Sequence, residues 1–545
     1  MAILATLNTL TSHLPPSVLL ALPTQILLSS IHEIHTVSVL IIYTLTNTSL
    51  LLHQLILNTS PVSLLSTLLD LVKANILFLG TLAVLTVIRR LYFHPLSRFP
   101  GQKRYAVSKL WEGYTNGLGE NGIRVRDLHR RYNTPILRVG PNELTVVSVE
   151  ALPHLYSRSI PHKSRGPWYN IWKIQGSLNL LTASDEVHRQ WRPLWEQAFS
   201  APAMERFTKR VEEHVGRLVE AVGREVGKEF SVGEVIGRFA FDVMADLGFA
   251  IPDYGLLSLT GDPGYMNIMH DFMCTSNVMG TFRNFMDVAL YLPLERNPEV
   301  KKFRQYGRDL LKHRLSIENP PKDVAKAFLE SPGTRFTDIE IEANVQLLIV
   351  AGSDTTSTIL TVLLYYLSKF PEFQETLYAE IQSATPFATA SLGSLPYLNA
   401  LINETLRLYP AVPSGAQAQT GPNGLTVEGQ YIPPKTPVRV NQFAMHTDPR
   451  YWRRPDEFLP ERWVDESLGL IKDRRAFIPF SYGRHACVGK KLALQEIRLA
   501  TAKLVEKYKF RPGENALGTE EYRKAWRDYF TAMPGPNWVK VELRE

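Results

Sequence analysis

The first 88 residues contain Glu33, Asp70 and Lys73 and no other Asp, Glu, Lys or Arg, a net charge of −1 in a chain whose total is +7. Such a stretch is rich in leucine and shows no polar face at the helical period, so it does not read as the wall of a soluble core. Three apolar runs are legible: Val18 to Ile31, Val37 to Leu57 and Val62 to Ile88. A helix needs about 20 mostly apolar residues to cross a bilayer. The second and third runs are long enough. The first is short, is broken by Pro23, and follows Pro15 and Pro16. The pattern predicts a membrane anchor over 1–90 with two or three spans, the third being the clearest. Arg89 and Arg90 follow that run at once, which places the rest of the chain on the cytoplasmic side. The first Lys or Arg is Lys73, too late for the positive start of a cleaved signal peptide. Asn47-Thr48-Ser49 and Asn58-Thr59-Ser60 are glycosylation sequons inside or beside apolar runs, and are expected to be unused.

His94-Pro95-Leu96-Ser97-Arg98-Phe99-Pro100-Gly101 breaks the helical pattern. Proline lacks an N–H and restricts the residue before it, so a stiff extended hinge is predicted over 91–101. A single large body over 102–545 follows. Cys274 and Cys487 are the two cysteines of the 545 residues, which excludes a disulfide framework and a cysteine-rich zinc module. No arginine-rich stripe with interleaved aromatics appears, so nucleic acid is not an expected partner.

The body reads as mainly α, an α+β domain with dominant helices and small sheets at its edges. Thr337-Asp338-Ile339-Glu340 is a capping-box pattern that opens a long helix. Its apolar stripe runs Ala343, Leu347, Val350, Ala351. Short strand signals occur at Leu425-Thr426-Val427, Tyr431-Ile432 and Val438-Arg439-Val440. A further helix is expected over 488–508, with Ala493, Ile497, Ala500 and Leu504 on one face.

Cys487 lies in Phe480-Ser481-Tyr482-Gly483-Arg484-His485-Ala486-Cys487-Val488-Gly489, bracketed by glycines and followed directly by a helix. Glycine permits positive φ and the close approach of a flat ligand. Backbone N–H groups at a helix start stabilise a negative sulfur. A thiolate held this way can ligate a metal from one side. A buried structural cysteine is the competing reading of these residues alone.

The loop resembles the haem-binding loop of cytochrome P450 enzymes, matching their pattern at Phe480, Gly483, Cys487 and Gly489. The body from about 95 to 540 is similar to that family. The resemblance implies a P450-like helical haem domain, with haem b as cofactor and Cys487 as the axial thiolate on iron. That ligand pushes electron density toward O–O cleavage. Ser481 stands where the family often has glycine, and His485 where it usually has a propionate-binding arginine. Glu404-Thr405-Leu406-Arg407 and Pro460-Glu461-Arg462-Trp463 resemble two further family motifs. They imply a buried cluster of Glu404, Arg407 and Arg462 that is structural, fixing the loop that carries Cys487.

Ala351-Gly352-Ser353-Asp354-Thr355-Thr356 interrupts the long apolar helix with residues that a stability-only sequence would not choose. By resemblance, Ala351 and Gly352 leave room for dioxygen beside the haem. Asp354 and Thr355 form the family's acid–alcohol pair, Thr355 holding a water near the reacting oxygen and Asp354 relaying protons. His188 and Arg192 share a helical face and correspond to propionate-binding residues. Gln417 stands where many members carry another propionate-binding arginine. Residues 422–433 and the wording Gly-Arg-His-Ala-Cys-Val-Gly-Lys resemble fungal members that act on indole alkaloids and other secondary metabolites.

The implied reaction is oxidation of a lipophilic small molecule with O2 and electrons from a membrane-bound NADPH-cytochrome P450 reductase. The implied location is the endoplasmic reticulum membrane, with the catalytic domain on the cytoplasmic side. Lys472, Arg474, Arg475, Arg484, Lys490 and Lys491 are candidates for a basic docking face. Trp168, Tyr169 and Trp172 fall where the family has a substrate loop, and Phe272, Met273, Met279 and Phe282 can line a pocket or pack as core. A haem-thiolate isomerase or dehydratase without reductase is one alternative, which intact Asp354 and Thr355 disfavour. A membrane-bound binding protein is another, supported by the multi-span start alone.

Overall fold

The computed structural model describes residues 15–30, 36–57, 64–157, 165–170, 178–252, 255, 265–282, 298–330, 336–384, 386 and 388–544. Asn58-Thr59-Ser60 and Trp172 lie outside the described residues.

The apolar start forms helices α1 (Pro16–Ser30), α2 (Thr36–Leu57) and α3 (Leu64–Ile88). Their outward side chains are large and apolar, with Ile42, Ile56 and Ile76 at 64%, 75% and 65% exposure. α1 has 15 residues, which reach ~22 Å, short of the ~30 Å apolar thickness of a bilayer. α2 and α3, with 22 and 25 residues, are long enough. Within the 29-residue stretch Leu65–Phe93, the most apolar window of 18 residues has a mean hydropathy of 2.1 and none of its residues is buried inside the protein. Polar side chains tie the three helices together. Thr86 Oγ1 donates to Gln25 Oε1 at 2.7 Å, and Asn75 Nδ2 to Asn47 Oδ1 at 2.6 Å. Asn47 is thereby committed within the helix bundle.

The passage into the body is not the extended hinge that the prolines predict. α3 runs on through a π-helical turn, Arg89–Phe93, and residues 94–99 are a succession of turns. Leu96 and Phe99 are buried against the sheet, because burial of their side chains outweighs the local preference of the Pro-flanking residues for extended backbone. Arg138 fixes the junction, its Nη1 donating to the Arg90 carbonyl at 2.8 Å and its Nη2 to that of Pro141 at 2.7 Å.

Helices dominate the body. Those that position the site are α4 (Asp185–Ala198), α5 (Ala201–Gly223), α6 (Val232–Phe249), α7 (Tyr265–Thr281), α8 (Asp338–Lys369), α9 (Pro396–Leu408) and α10 (Lys490–Lys507). α8 begins at the expected capping box: Glu340 N–H donates to Thr337 Oγ1 at 3.3 Å, and Thr337 N–H to Glu340 Oε2 at 2.9 Å. It is apolar enough to span a membrane, yet 78% of its most apolar window is buried, so it is the central core helix. Leu348, Ile359, Leu360 and Leu363 join α6 and α10 in the main apolar core.

A four-stranded sheet lies to one side, with strands β1 (Ile136–Gly140), β2 (Glu143–Val146), β3 (Gln417–Gln419) and β4 (Pro437–Val440) in the order β1–β2–β4–β3. β2 and β4 are parallel, with Leu144 opposite Val438, and β3 is antiparallel to β4, with Gln417 opposite Arg439. The strand signals at 425–427 and 431–432 form a separate antiparallel pair. A last hairpin, β5 (Arg527–Tyr529) and β6 (Thr531–Met533), turns at Phe530.

Candidate active site

Beneath the site lies the most buried ionic cluster among the described residues. Glu404 and Arg407 are on α9, and Arg462 comes from a later short helix, Glu461–Val464; all three side chains are 0% exposed. Arg407 grips Glu404 with two parallel bonds, Nε to Oε2 at 2.9 Å and Nη2 to Oε1 at 2.8 Å. Arg462 Nε adds a bond to Oε1 at 3.1 Å. The Leu459 N–H and Trp463 Nε1 donate to the same carboxylate at 2.8 and 2.9 Å. Burial alone would raise the pKa of Glu404; Arg407 first, then Arg462, outweigh it and hold the carboxyl below its ordinary value. The two guanidinium groups spend their other hydrogens on carbonyls of the irregular chain: Arg407 on His446, Pro455 and Glu457, Arg462 on Arg453, Arg454 and Leu470. The neighbouring His446 accepts the Ile478 N–H on Nε2 at 3.0 Å. The cluster thus organises the segment leading into the cysteine loop, and none of its three charged members borders the cavity described next.

A cavity of about 290 Å³ lies between α8 and the cysteine loop. Ala351, Gly352 and Thr355 border it from α8, and Phe480, Cys487 and Gly489 from the loop. The loop is closed by Cys487 N–H donating to the Phe480 carbonyl at 2.9 Å. Cys487 is exposed to the cavity and otherwise enclosed by protein. Burial pushes its thiol pKa up, against backbone hydrogen bonds from Gly489 and Lys490 and the charges of Arg192 and Lys490. A bound metal cation is what would hold this sulfur ionised.

One edge of the cavity is cationic. His188 and Arg192 of α4 border it, as do His485 and Arg165. His485 Nδ1 lies 3.2 Å from both His188 Nε2 and Arg165 Nη2. Arg192 Nη1 donates to the Ala486 carbonyl at 2.7 Å, so it braces the loop as well as bordering the cavity. Burial, then Arg165, His188, Arg484 and Arg192, push the pKa of His485 far down, which keeps the ring neutral. Arg165 Nε is buried and without a hydrogen-bond partner among the described residues. A carboxylate entering at this edge would satisfy that N–H and relieve the crowding of positive groups.

The predicted residues divide clearly. Ala351, Gly352, Thr355, Phe480, His485, Cys487, Gly489, His188 and Arg192 converge on one cavity. Asp354 is 2% exposed and does not border it; its Oδ1 is 3.3 Å from His270 Nε2. Gly483 serves packing: its φ is +68°, and a Cβ there would collide with the Tyr156 carbonyl. Gly352 borders the cavity, but the space where a Cβ would stand is filled by Met244 of α6. Its lack of a side chain therefore lets α6 close on α8. Gln417 points elsewhere, donating from Nε2 to Glu143 Oε1 at 2.7 Å and accepting the Trp168 N–H at 2.9 Å. Arg484 pairs with Asp185 at 3.0 Å and is largely covered, unlike the other residues of the expected basic face. Tyr169 and Met273 border the cavity, whereas Phe272 stacks on Phe303 with ring centroids 4.8 Å apart.

Sequence reasoning missed Arg165, Phe530 and His270. Arg165 reaches the edge because its backbone bridges Ala418 beside β3, a long-range pairing with no local signature. Phe530 borders the cavity at the hairpin tip with φ +79°.

Ser481, the departure from glycine, has φ +62°. Left-handed backbone costs an L side chain about 1–2 kcal/mol, and glycine's extra freedom in the unfolded chain offsets about half of that. Ser481→Gly is therefore expected to raise the unfolding temperature slightly, as measured by thermal melting followed by circular dichroism; a lowered value would contradict this.

The sequence model of the family described as "Cytochrome P450" matches residues 113–525. The chain is 32% identical over 471 residues to cytochrome P450 monooxygenase FCK2 of Fusarium pseudograminearum, covering 84% of each chain. It is 30% identical over 478 residues to cytochrome P450 monooxygenase orf5 of Eupenicillium brefeldianum, covering 85% of this chain and 94% of that one. Averantin hydroxylase of Dothistroma septosporum is 28% identical over 471 residues, covering 84% and 89% of the two chains. The crystal structure of the cytochrome P450DA heme domain superposes with a TM-score of 0.66 at 19% identity, covering 82% of this chain and 97% of that one; it speaks for the fold alone. The chain belongs to the cytochrome P450 family, whose fold implies a haem-thiolate cofactor. It is a monooxygenase, an oxidoreductase that uses O2, a redox partner and a small-molecule substrate.

The cavity fits that cofactor by its donor set. A thiol opens into an otherwise mostly apolar slot, and donors that include an Arg165 N–H with no partner among the described residues line the edge where acidic side arms would lie.

Proposed function

We propose that this chain is a membrane-anchored haem-thiolate monooxygenase with haem b held by Cys487. The observation that carries the reading is the placement of the Cys487 thiol in the cavity that Ala351 and Thr355 border from α8. When bound, haem supplies the activation of dioxygen and the transfer of one oxygen atom. Cys487 anchors the iron, and the Gly489 and Lys490 N–H groups steady its negative charge. Arg165, His188, Arg192 and His485 bind the haem carboxylates, with Arg165 supplying the guanidinium that Gln417 does not. Phe480 and Gly489, which line the cavity from the cysteine loop, would pack against the bound haem. Gly483 acts at one remove, by seating the loop on Tyr156. Glu404, Arg407 and Arg462 keep the loop in register.

Ala351 and Gly352 provide the open helix face, and Thr355 holds a water near the reacting oxygen. Its hydroxyl donates to the Ala351 carbonyl at 2.7 Å, so its lone pairs remain available as acceptors. Asp354 passes protons inward from behind the cavity wall.

Residues 1–90 form the anchor, 91–101 the junction and 102–545 the catalytic domain. The anchor lies in the endoplasmic reticulum membrane, and Arg89 and Arg90 keep the catalytic domain on the cytoplasmic side. A lipophilic secondary metabolite is the substrate, consistent with the mostly apolar cavity lining, which includes Tyr169, Met273, Val350 and Phe530. NADPH-cytochrome P450 reductase docks on Lys472, Arg474, Arg475, Lys490 and Lys491. Arg474 and Arg475 support this with 65% and 77% side-chain exposure.

The test is oxidation of a panel of lipophilic fungal metabolites by microsomes containing this chain and the reductase, under isotopically labelled O2. The expected result is an NADPH-dependent product that carries one labelled oxygen. Product formation without NADPH, or without label, would contradict the reading.

A further inference from the structure

We propose that His270 is the relay through which protons from solvent reach Asp354. The inference rests on the acid–alcohol reading of Asp354 and Thr355 and extends it to a residue outside the cavity. The geometry starts from a difficulty. The Asp354 side chain is 3% exposed, so water does not reach it directly in this conformation. Its Oδ2 has no hydrogen-bond partner among the described residues. Its Oδ1 lies 3.3 Å from Nε2 of His270, whose side chain is 28% exposed. The carboxyl group therefore has one oxygen against an imidazole that touches solvent and the other free to turn.

The pairing is set by helix packing. On α7 and α8, Met269 and His270 meet Ser353 and Asp354 in turn, Ser353 Oγ lying 4.0 Å from Met269 Sδ. Met273, one turn further along α7, borders the cavity. Cys274 of α7 lies within the field of Asp354, and Asp271 of α7 and Tyr529 of β5, whose side chain bonds Cys274, lie near that thiol. Burial first, then Asp271, with Asp354 adding, push the Cys274 thiol up to about 11, so it remains protonated and uncharged at neutral pH.

Imidazole is the side chain whose ordinary pKa, about 6.5, suits it to accept and release protons near neutrality. In the relay, Nδ1 takes a proton from solvent and Nε2 gives one to Asp354 Oδ1. The ring ends uncharged with its tautomer reversed, and resets by turning over or by exchange with solvent. The protonated carboxyl then turns, and delivers the proton toward the water held by Thr355. Only N–H and O–H bonds form and break, and no atom changes its oxidation state.

The experiment uses the full-length enzyme in membranes with NADPH-cytochrome P450 reductase and no added substrate, so that NADPH consumption reports oxygen reduction alone. His270→Gln keeps a hydrogen bond to Asp354 but cannot shuttle a proton; His270→Ala removes both. We expect consumption to fall about tenfold or more in both variants, with a larger solvent deuterium isotope effect. Asp354→Asn combined with His270→Gln is expected to be no slower than Asp354→Asn alone, because both act on one path. The reduced carbon monoxide spectrum is expected to stay at wild-type height in the His270 variants. A wild-type rate in His270→Gln would overturn the relay, because a hydrogen bond would then suffice. Loss of the spectrum in the His270 variants alone would also overturn it, making His270 structural. Absence of a thiolate-type spectrum in the wild type would instead overturn the haem reading, and the relay with it.

Discussion

Glu404→Ala is expected to leave no haem-loaded protein. The substitution deletes a carboxylate that receives bonds from Arg407, Arg462, the Leu459 N–H and Trp463, all at 2.8–3.1 Å in a dry interior. Both guanidinium groups would remain buried without their counter-charge. Removing one partner of a buried pair costs about 3–5 kcal/mol, and two cations are stranded here. Whole-domain stability is on the order of 5–15 kcal/mol, so the variant sits at or below the folding threshold. The damage would also spread, because these arginines pin the carbonyls of residues 446–470, next to the segment that enters the cysteine loop. Haem content per polypeptide after purification and susceptibility to limited proteolysis are the readouts. Wild-type haem content with wild-type resistance would show that the cluster is dispensable.

Thr355→Ala is expected to act differently, sparing the fold and striking the reaction. Thr355 borders the cavity, and its hydroxyl reaches back to the Ala351 carbonyl at 2.7 Å. On the proposed mechanism, losing the hydroxyl removes the group that holds a water for proton delivery. General acid–base assistance is worth about 10²–10⁴-fold, so product formation should drop about a hundredfold or more. The carbon monoxide spectrum should be unchanged, and more NADPH should be consumed per product formed. Thr355→Ser keeps the hydroxyl and should recover most of the activity. Equal activity in Thr355→Ala and wild type would remove Thr355 from the mechanism.

What could be read from the sequence follows from how local each signal is. The α8 capping box, the cysteine loop and the pairing of Glu404 with Arg407 occupy a few consecutive positions, and the structure has them as expected. The site's boundary with the rest of the fold is less legible. Arg165 reaches His485 through a bridge to Ala418, and His270 meets Asp354 because α7 happens to lie across α8 in that register. Neither contact leaves a trace in nearby residues. Gly352 and Gly483 are legible as parts of motifs, but what demands glycine at each is packing, against Met244 and the Tyr156 carbonyl. The Pro-rich junction failed as an extended hinge because Leu96 and Phe99 gain more by burial against the sheet than the chain loses by turning.

The central claim is that Cys487 holds the haem iron as a thiolate. It is tested most directly by the reduced carbon monoxide difference spectrum of the wild type, Cys487→Ala and Cys274→Ser. Cys274 lies on α7, half-buried and outside the cavity lining, so it serves as the control. The account predicts a thiolate-type band in the wild type and in Cys274→Ser and its absence in Cys487→Ala. Persistence of that band in Cys487→Ala, or its loss in Cys274→Ser, would contradict it.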